Sequence, residues 1–231
     1  MNCRVLKASV AVCLVSACQS VFFAEAADQS HAKWEKEIAA FERADVTNPP
    51  PKGAVLFIGS STIRLWKTLA QDFPGQAVIN RGFGGSQIAD ATFFAPRIVF
   101  PYAPRAIYLR SGGNDLWAGK SVEQVFSDFK EFVATVHAKL PDADIVYIAL
   151  SPSIARLKQA EMTKSLNALV AGFITGKAHL RYVETYDIAL DASGQPRPEL
   201  FAKDKLHFSD EGYKLLVERV RPDVAKNGSA K

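Results

Sequence analysis

Residues 54–62 read Ala54-Val55-Leu56-Phe57-Ile58-Gly59-Ser60-Ser61-Thr62. Five apolar residues without polar alternation suit a strand buried on both faces, and the Gly with three hydroxyl residues after it suits a turn into a helix start. Comparable apolar runs recur at Ala77 to Asn80, Ala106 to Leu109, Ile145 to Leu150 and Arg181 to Val183. Helical patterns lie between several of them. The clearest is Val122, Val125, Phe126, Phe129, Phe132, Val133, Val136 and Leu140, an i, i+3, i+4, i+7 stripe; Ser165 to Ile174 and Ser209 to Val220 are similar. Apolar strands alternating with helices predict one three-layer α/β/α domain around a parallel sheet. Its extent is 53–225, with no linker after Pro51 and no internal repeat.

Working outward toward the N-terminus, His31 to Asp45 predicts an amphipathic helix with Trp34, Ile38 and Phe41 at helical spacing. Asn48-Pro49-Pro50-Pro51 stops it, so 27–52 reads as a helix and a Pro-rich connector. Residues 1–26 are built like an export signal. Arg4 and Lys7 give a positive start, Ala8 to Ala17 is apolar, and Ala24-Glu25-Ala26 is a small-x-small cleavage site. The expected destination is the periplasm or the medium. Two other readings of this segment stay open. Val15-Ser16-Ala17-Cys18 is similar to a lipoprotein signal, which would bring the protein to a membrane through Cys18, and Ala8 to Ala24 could remain as an uncleaved anchor. All three cysteines, Cys3, Cys13 and Cys18, fall in this segment. A mature chain cut after Ala26 therefore has no cysteine nucleophile, zinc-thiolate site or disulfide.

The composition narrows the classes further. With 48% hydrophobic residues over 231 positions the chain has enough apolar side chains for a core, which excludes disorder. A formal charge of +4, with no Lys/Arg run, lacks the electrostatic footprint of a nucleic-acid binder.

In open parallel sheets reactive groups gather beyond the carboxyl ends of the strands, and four stretches fall there. Gly59-Ser60-Ser61-Thr62 can present a Ser hydroxyl at a helix start, or simply cap the helix. Asn80-Arg81-Gly82-Phe83-Gly84-Gly85-Ser86 can approach an anion through backbone N–H groups, or be a mobile loop. Arg110-Ser111-Gly112-Gly113-Asn114-Asp115 offers an Asn amide as a neutral donor, or an ordinary turn. Asp204-Lys205-Leu206-His207 sets a carboxylate three residues before an imidazole, so that it can hold Nδ1–H and leave Nε2 as a general base. His31, His137 and His179 lack such neighbours and read as surface or packing residues. No His-x-x-x-His or His-Glu pair points to a metal.

In this order and spacing the four stretches resemble the SGNH or GDSL-type ester hydrolases, named for a Ser, a Gly, an Asn and a His in successive blocks. The resemblance runs from Phe57 to about Leu216. It implies a flavodoxin-like sheet of five parallel strands, with Ser61 as nucleophile, Asp204 and His207 as orienting acid and base, and the Ser61 and Gly85 N–H groups with the Asn114 side chain as oxyanion hole. Ser60 stands where many members have Asp; registering Phe-x-Gly-x-Ser selects Ser61 over Ser60. The implied activity is hydrolysis of a small-molecule or polymer-borne acyl ester, acetyl above all, without metal or organic cofactor. An O-acetyltransferase acting on a carbohydrate, a lysophospholipase-like enzyme and a non-catalytic carbohydrate-binding protein are the alternatives. Arg64, Trp66, Phe83, Arg110 and Trp117 are candidates to line the pocket, with loop packing as their other reading. The stretch Ser151 to Arg156 can reach the pocket but has no assigned role.

Overall fold

The computed structural model describes residues 31–226. The export signal expected over 1–26, with Cys18, lies outside them. Five parallel strands, β1 (Val55–Gly59), β2 (Val78–Gly82), β3 (Ala106–Arg110), β4 (Asp144–Ile148) and β5 (Leu180–Val183), form one sheet in the order β2-β1-β3-β4-β5. The helices are α1 (Glu35–Thr47), α2 (Ser61–Arg64), α3 (Leu69–Asp72), α4 (Ile88–Ile98), α5 (Gly113–Trp117), α6 (Val122–Lys139), α7 (Ala160–Ile174) and α8 (Asp210–Lys226). This is the flavodoxin-like three-layer arrangement expected from the sequence.

The continuous apolar runs have a direct cause. Leu56, Ile58, Ile107, Leu109, Ile145 and Tyr147 join a core under α1, α4, α6 and α7. Their neighbours Val55, Phe57, Ala106, Tyr108, Val146 and Ile148 join a second core with Ile63, Trp66, Leu216 and Val220 on the opposite face. Side chains alternate between faces, and both faces are dry, so the central positions of β1, β3 and β4 are apolar without alternation, and polar residues such as Arg110 and Asp144 fall at strand ends.

Helix α4 has no counterpart in the expectations. Pro96 lies inside it, as Pro222 lies inside α8, which runs past the predicted end at Val220. Each proline lacks the N–H that would bond to the carbonyl four residues earlier, so it interrupts the ladder there, with two residues of α4 and four of α8 still to follow. Helix α7 begins at Ala160, ahead of the predicted Ser165. Helix α1 is fastened to the domain: Ile38 is fully buried, Arg97 bridges Glu35 and Glu42, and Arg81 donates to Asp45.

The strand order reverses between β1 and β3, which opens a crevice at their carboxyl ends. Gly59 closes β1 there with φ +146°, opposite Arg110 in register. A Cβ on Gly59 would come within 2.1 Å of the Arg110 carbonyl oxygen. Only glycine permits this approach. Replacing it, Gly59→Ala, is expected to destabilise the fold by roughly 2–4 kcal/mol through overlap and backbone strain. Urea unfolding monitored by circular dichroism measures this, and an unchanged midpoint would contradict it.

Candidate active site

The chain leaves β1 at Gly59, and Ser60 precedes the first turn of α2, which starts at Ser61. From the other end of the sequence, the turn before α8 carries Asp204 and His207. Asp204 Oδ1 accepts from the backbone N–H of Leu206 at 2.9 Å and of His207 at 3.0 Å, so the carboxylate first builds its own turn. Lys205, at φ +58°, supplies the left-handed residue that lets the chain reverse. The second carboxylate oxygen, Oδ2, lies 2.6 Å from His207 Nδ1, and His207 Nε2 lies 2.9 Å from Ser61 Oγ.

Partner chemistry assigns the protons. The hydrogen bonds from His207 Nδ1 and from the two backbone N–H groups hold the Asp204 carboxyl well below the usual range, at about 2. An ionised carboxylate only accepts, so Nδ1 carries the proton and Nε2 accepts from the Ser61 hydroxyl. Of the Ser60-Ser61 doublet, the hydroxyl within hydrogen-bond distance of His207 Nε2 is that of Ser61.

Of the other two blocks, Asn114 lines the same pocket as Ser61 and His207, whereas Gly85 is not among the residues that line it and lies in the adjoining loop that Asn114 reaches at Ser86. Gly85 has φ +79°, and a Cβ there would meet the Trp34 ring at 3.1 Å, so the residue just ahead of α1 packs directly on this turn. Asn114, in α5, donates from Nδ2 to the Ser86 carbonyl at 3.0 Å and accepts at Oδ1 from Arg156 Nη1 at 2.9 Å. A guanidinium cannot accept, so Arg156 fixes which end of the amide is the donor end. The next residue, Asp115, is fully buried and accepts from the Ile88 N–H and from Lys120. The Gly85 and Asn114 loops are thereby tied to each other by two separate hydrogen-bonded links.

Ser61, Asn114 and His207 line one pocket of about 90 Å³, together with Arg110, Ser151 and Arg156. Of the residues predicted to line it, Arg110 does. Trp66 and Phe83 do not: both are buried, Trp66 against Phe57, Phe73 and Tyr213, and Phe83 against Trp34 and Phe94. Their size suits the cores, and the dry faces of the sheet claim them. Arg64 stands beside Gly84, and Trp117 is exposed next to Arg156. Arg156 is the residue whose role the sequence left open. Its stretch follows β4, and that position at a strand's carboxyl end was the available signal.

The three other histidines make local contacts. His31 sits 2.6 Å from Asp90 and stacks on Phe93, His137 lies 3.1 Å from the Ala143 carbonyl, and His179 lies 3.0 Å from Asp144.

Residues 58–215, well over half of the chain, match the GDSL-like Lipase/Acylhydrolase family. No curated protein matches. Among solved structures, a Streptococcus pneumonia protein named for platelet activating factor is similar at 20% identity and TM-score 0.74, covering 88% of this chain and 99% of its own. A GDSL-like lipase from Bacteroides thetaiotaomicron is similar at 18% identity and TM-score 0.67, over 85% of this chain and 97% of its own. An acetylxylan esterase from Geobacillus stearothermophilus is similar at 15% identity and TM-score 0.58, over 76% and 95%. At these identities the likeness is one of fold. The match over 58–215, on the sheet and crevice just described, makes the chain a member of the GDSL-like lipase/acylhydrolase family and a carboxylic ester hydrolase.

Proposed function

We propose that the protein cleaves short acyl esters, acetyl esters foremost, through an acyl-enzyme on Ser61. The observation that carries this reading is the hydrogen-bonded series Asp204, His207, Ser61, with the serine hydroxyl 2.9 Å from Nε2. His207 Nε2 takes the hydroxyl proton as Ser61 Oγ bonds to the ester carbonyl carbon, and the carbonyl electron pair moves to oxygen. Asp204 holds the imidazole in the tautomer required and stabilises the imidazolium. The oxyanion is received by the Ser61 and Gly85 N–H groups and by Asn114 Nδ2, whose amide orientation Arg156 sets. Collapse breaks the bond to the alcohol oxygen, which takes the proton from His207. Water, deprotonated in turn by His207, attacks the acyl-enzyme carbonyl carbon; collapse breaks the bond to Ser61 Oγ, which takes the proton back from His207, and the acid is released.

Pocket size supports a small acyl group. About 90 Å³ is room for a few water molecules, far short of a long alkyl chain. The acetylxylan esterase among the structural neighbours is a further support for acetyl esters, at the level of shared fold.

Steady-state hydrolysis of 4-nitrophenyl esters tests the reading. The wild type is expected to turn over acetyl and butyryl esters faster than palmitoyl, and a rate rising with chain length overturns the short-acyl assignment. Substituting Ser61→Ala should lower kcat/KM on the order of 10⁴-fold or more, and Asn114→Ala on the order of 10²- to 10³-fold. Labelling by an organophosphate should be confined to Ser61; retained labelling in Ser61→Ala would refute it as nucleophile. With an oligosaccharide acceptor present, hydrolysis predicts free acetate and no new sugar ester.

The pH dependence follows from Asp204. Its carboxyl is depressed in the folded state, so the stabilisation it gives is present above the usual carboxylate range and is lost as pH falls toward about 2. With half of its side chain exposed, solvent screening keeps that contribution small. Asp204 thus stays ionised until the pH approaches about 2, and log kcat/KM should show no acid limb attributable to it above about pH 4. Loss of activity in Asp204→Asn at pH 7, with an unchanged fold by circular dichroism, checks that the ionised carboxylate is needed; full activity would contradict it.

A further inference from the structure

Two cations stand in the wall of the Ser61 pocket without a counter-ion. Arg110 is 4% exposed and Arg156 half-buried, and no Asp or Glu lines the pocket. Elsewhere Arg81, Arg97 and Arg181 each hold a carboxylate, at Asp45, Glu42 and Asp223. Among the described residues neither Arg110 nor Arg156 does.

The two are held by neutral groups instead. Arg110 donates to the Ala149 carbonyl, to Thr185 Oγ1 at 2.9 Å and to Ser151 Oγ at 3.2 Å, and its guanidinium lies 5.6 Å from the centre of the Phe208 ring. Its Nε is buried without an acceptor. Arg156 uses Nη1 for Asn114 Oδ1 and for the Gly113 carbonyl at 3.2 Å, and its guanidinium carbon sits 5.0 Å from the centre of the Trp117 ring. Among the described residues its Nε and Nη2 meet no acceptor. Burying uncompensated cations is costly unless an anion joins them. Burial lowers both from the ordinary arginine range, Arg110 to about 10, which leaves both charged at neutral pH.

We propose that this site selects esters that carry a carboxylate, with Arg156 binding that carboxylate and Arg110 adding buried positive charge behind it. The inference rests on the serine-esterase reading of the same pocket. The carboxylate can belong to the acyl part or to the alcohol part. Arg156 is suited to it because a planar guanidinium, already fixed by Asn114 and Trp117, offers a pre-oriented edge for a two-point hydrogen bond.

Two matched pairs separate the sources: mono(4-nitrophenyl) succinate against 4-nitrophenyl methyl succinate for the acyl side, and 4-acetoxybenzoate against methyl 4-acetoxybenzoate for the alcohol side. Rates are taken above the Ser61→Ala background. In Arg156→Gln the charged-to-neutral ratio of kcat/KM is expected to fall on the order of 10- to 100-fold for one pair, which identifies the side that bears the charge. An unchanged ratio in both pairs, with the neutral esters still hydrolysed, overturns the carboxylate assignment and leaves the esterase standing. No hydrolysis of any of the four esters by the wild type overturns the esterase reading itself. Should Arg156→Gln fail to fold, or lose hydrolysis of the neutral esters through the Asn114 amide it orients, inhibition of the wild type decides: succinate competes with 4-nitrophenyl acetate and succinamide does not if the proposal holds, and equal inhibition by both overturns it.

Discussion

A hydroxyl and an imidazole can share a proton only when the groups that carry them are held still at hydrogen-bond distance. Ser61 and His207 are 146 residues apart in the chain, and their 2.9 Å contact joins the end of the first strand to the turn before the last helix. Much of the surrounding structure serves that contact. Tyr213, one turn into α8, donates its hydroxyl to the Thr62 carbonyl at 2.8 Å and so ties α8 to α2. Phe201 and Phe208 pair across the base of the histidine turn, and the Ala202 N–H donates to the His207 carbonyl at 2.8 Å. The turn is therefore braced on its own backbone, on α8 and on the strand-end loop. Such a lattice of short, partly buried bonds keeps side-chain entropy low at the point where geometry matters most.

The crevice itself comes from the topology. Connections from β1 and β3 leave in opposite directions, so the chain parts above the sheet and leaves room for a ligand. The close approach at Gly59 brings the two strand ends within van der Waals reach, and the Asn114 and Asp115 links draw the second and third loops together behind it. Fold and site are thus two aspects of one packing problem at the carboxyl edge.

How much of this can be read from sequence varies with the physics involved. Strands such as Val55–Gly59 are legible because a two-faced dry environment leaves no polar position in them. Three of the four loops are legible because the ends of β1, β2 and β3 each carry small residues and a chemical group in order, and the fourth, Asp204 to His207, is legible by its carboxylate–imidazole spacing ahead of α8. Helix α4 is not, since Pro96 signals an interruption, yet the helix runs through it to Ile98, held by the buried side chains Ile88, Ala91, Phe94, Ala95 and Ile98. Trp66 and Phe83 are ambiguous for another reason: a large aromatic beside a reactive loop serves equally as pocket wall or core, and only packing decides. Arg156 is harder still. Its meaning depends on reaching Asn114 from a loop 42 positions away, a relation that no local pattern encodes.

Helix α1 bears on how the unit is delimited. The family match begins at residue 58, yet Trp34, just ahead of α1, rests on the Gly85 turn, Ile38 is fully buried, and Asp45 holds both Arg81 and Tyr102. The region matched by the family and the packed domain therefore have different N-terminal borders. In a relative where this leading helix is replaced or shortened, the turn that carries Gly85 would need a different lid, so divergence ahead of the first strand is a route by which the same catalytic groups could acquire a looser or differently shaped mouth.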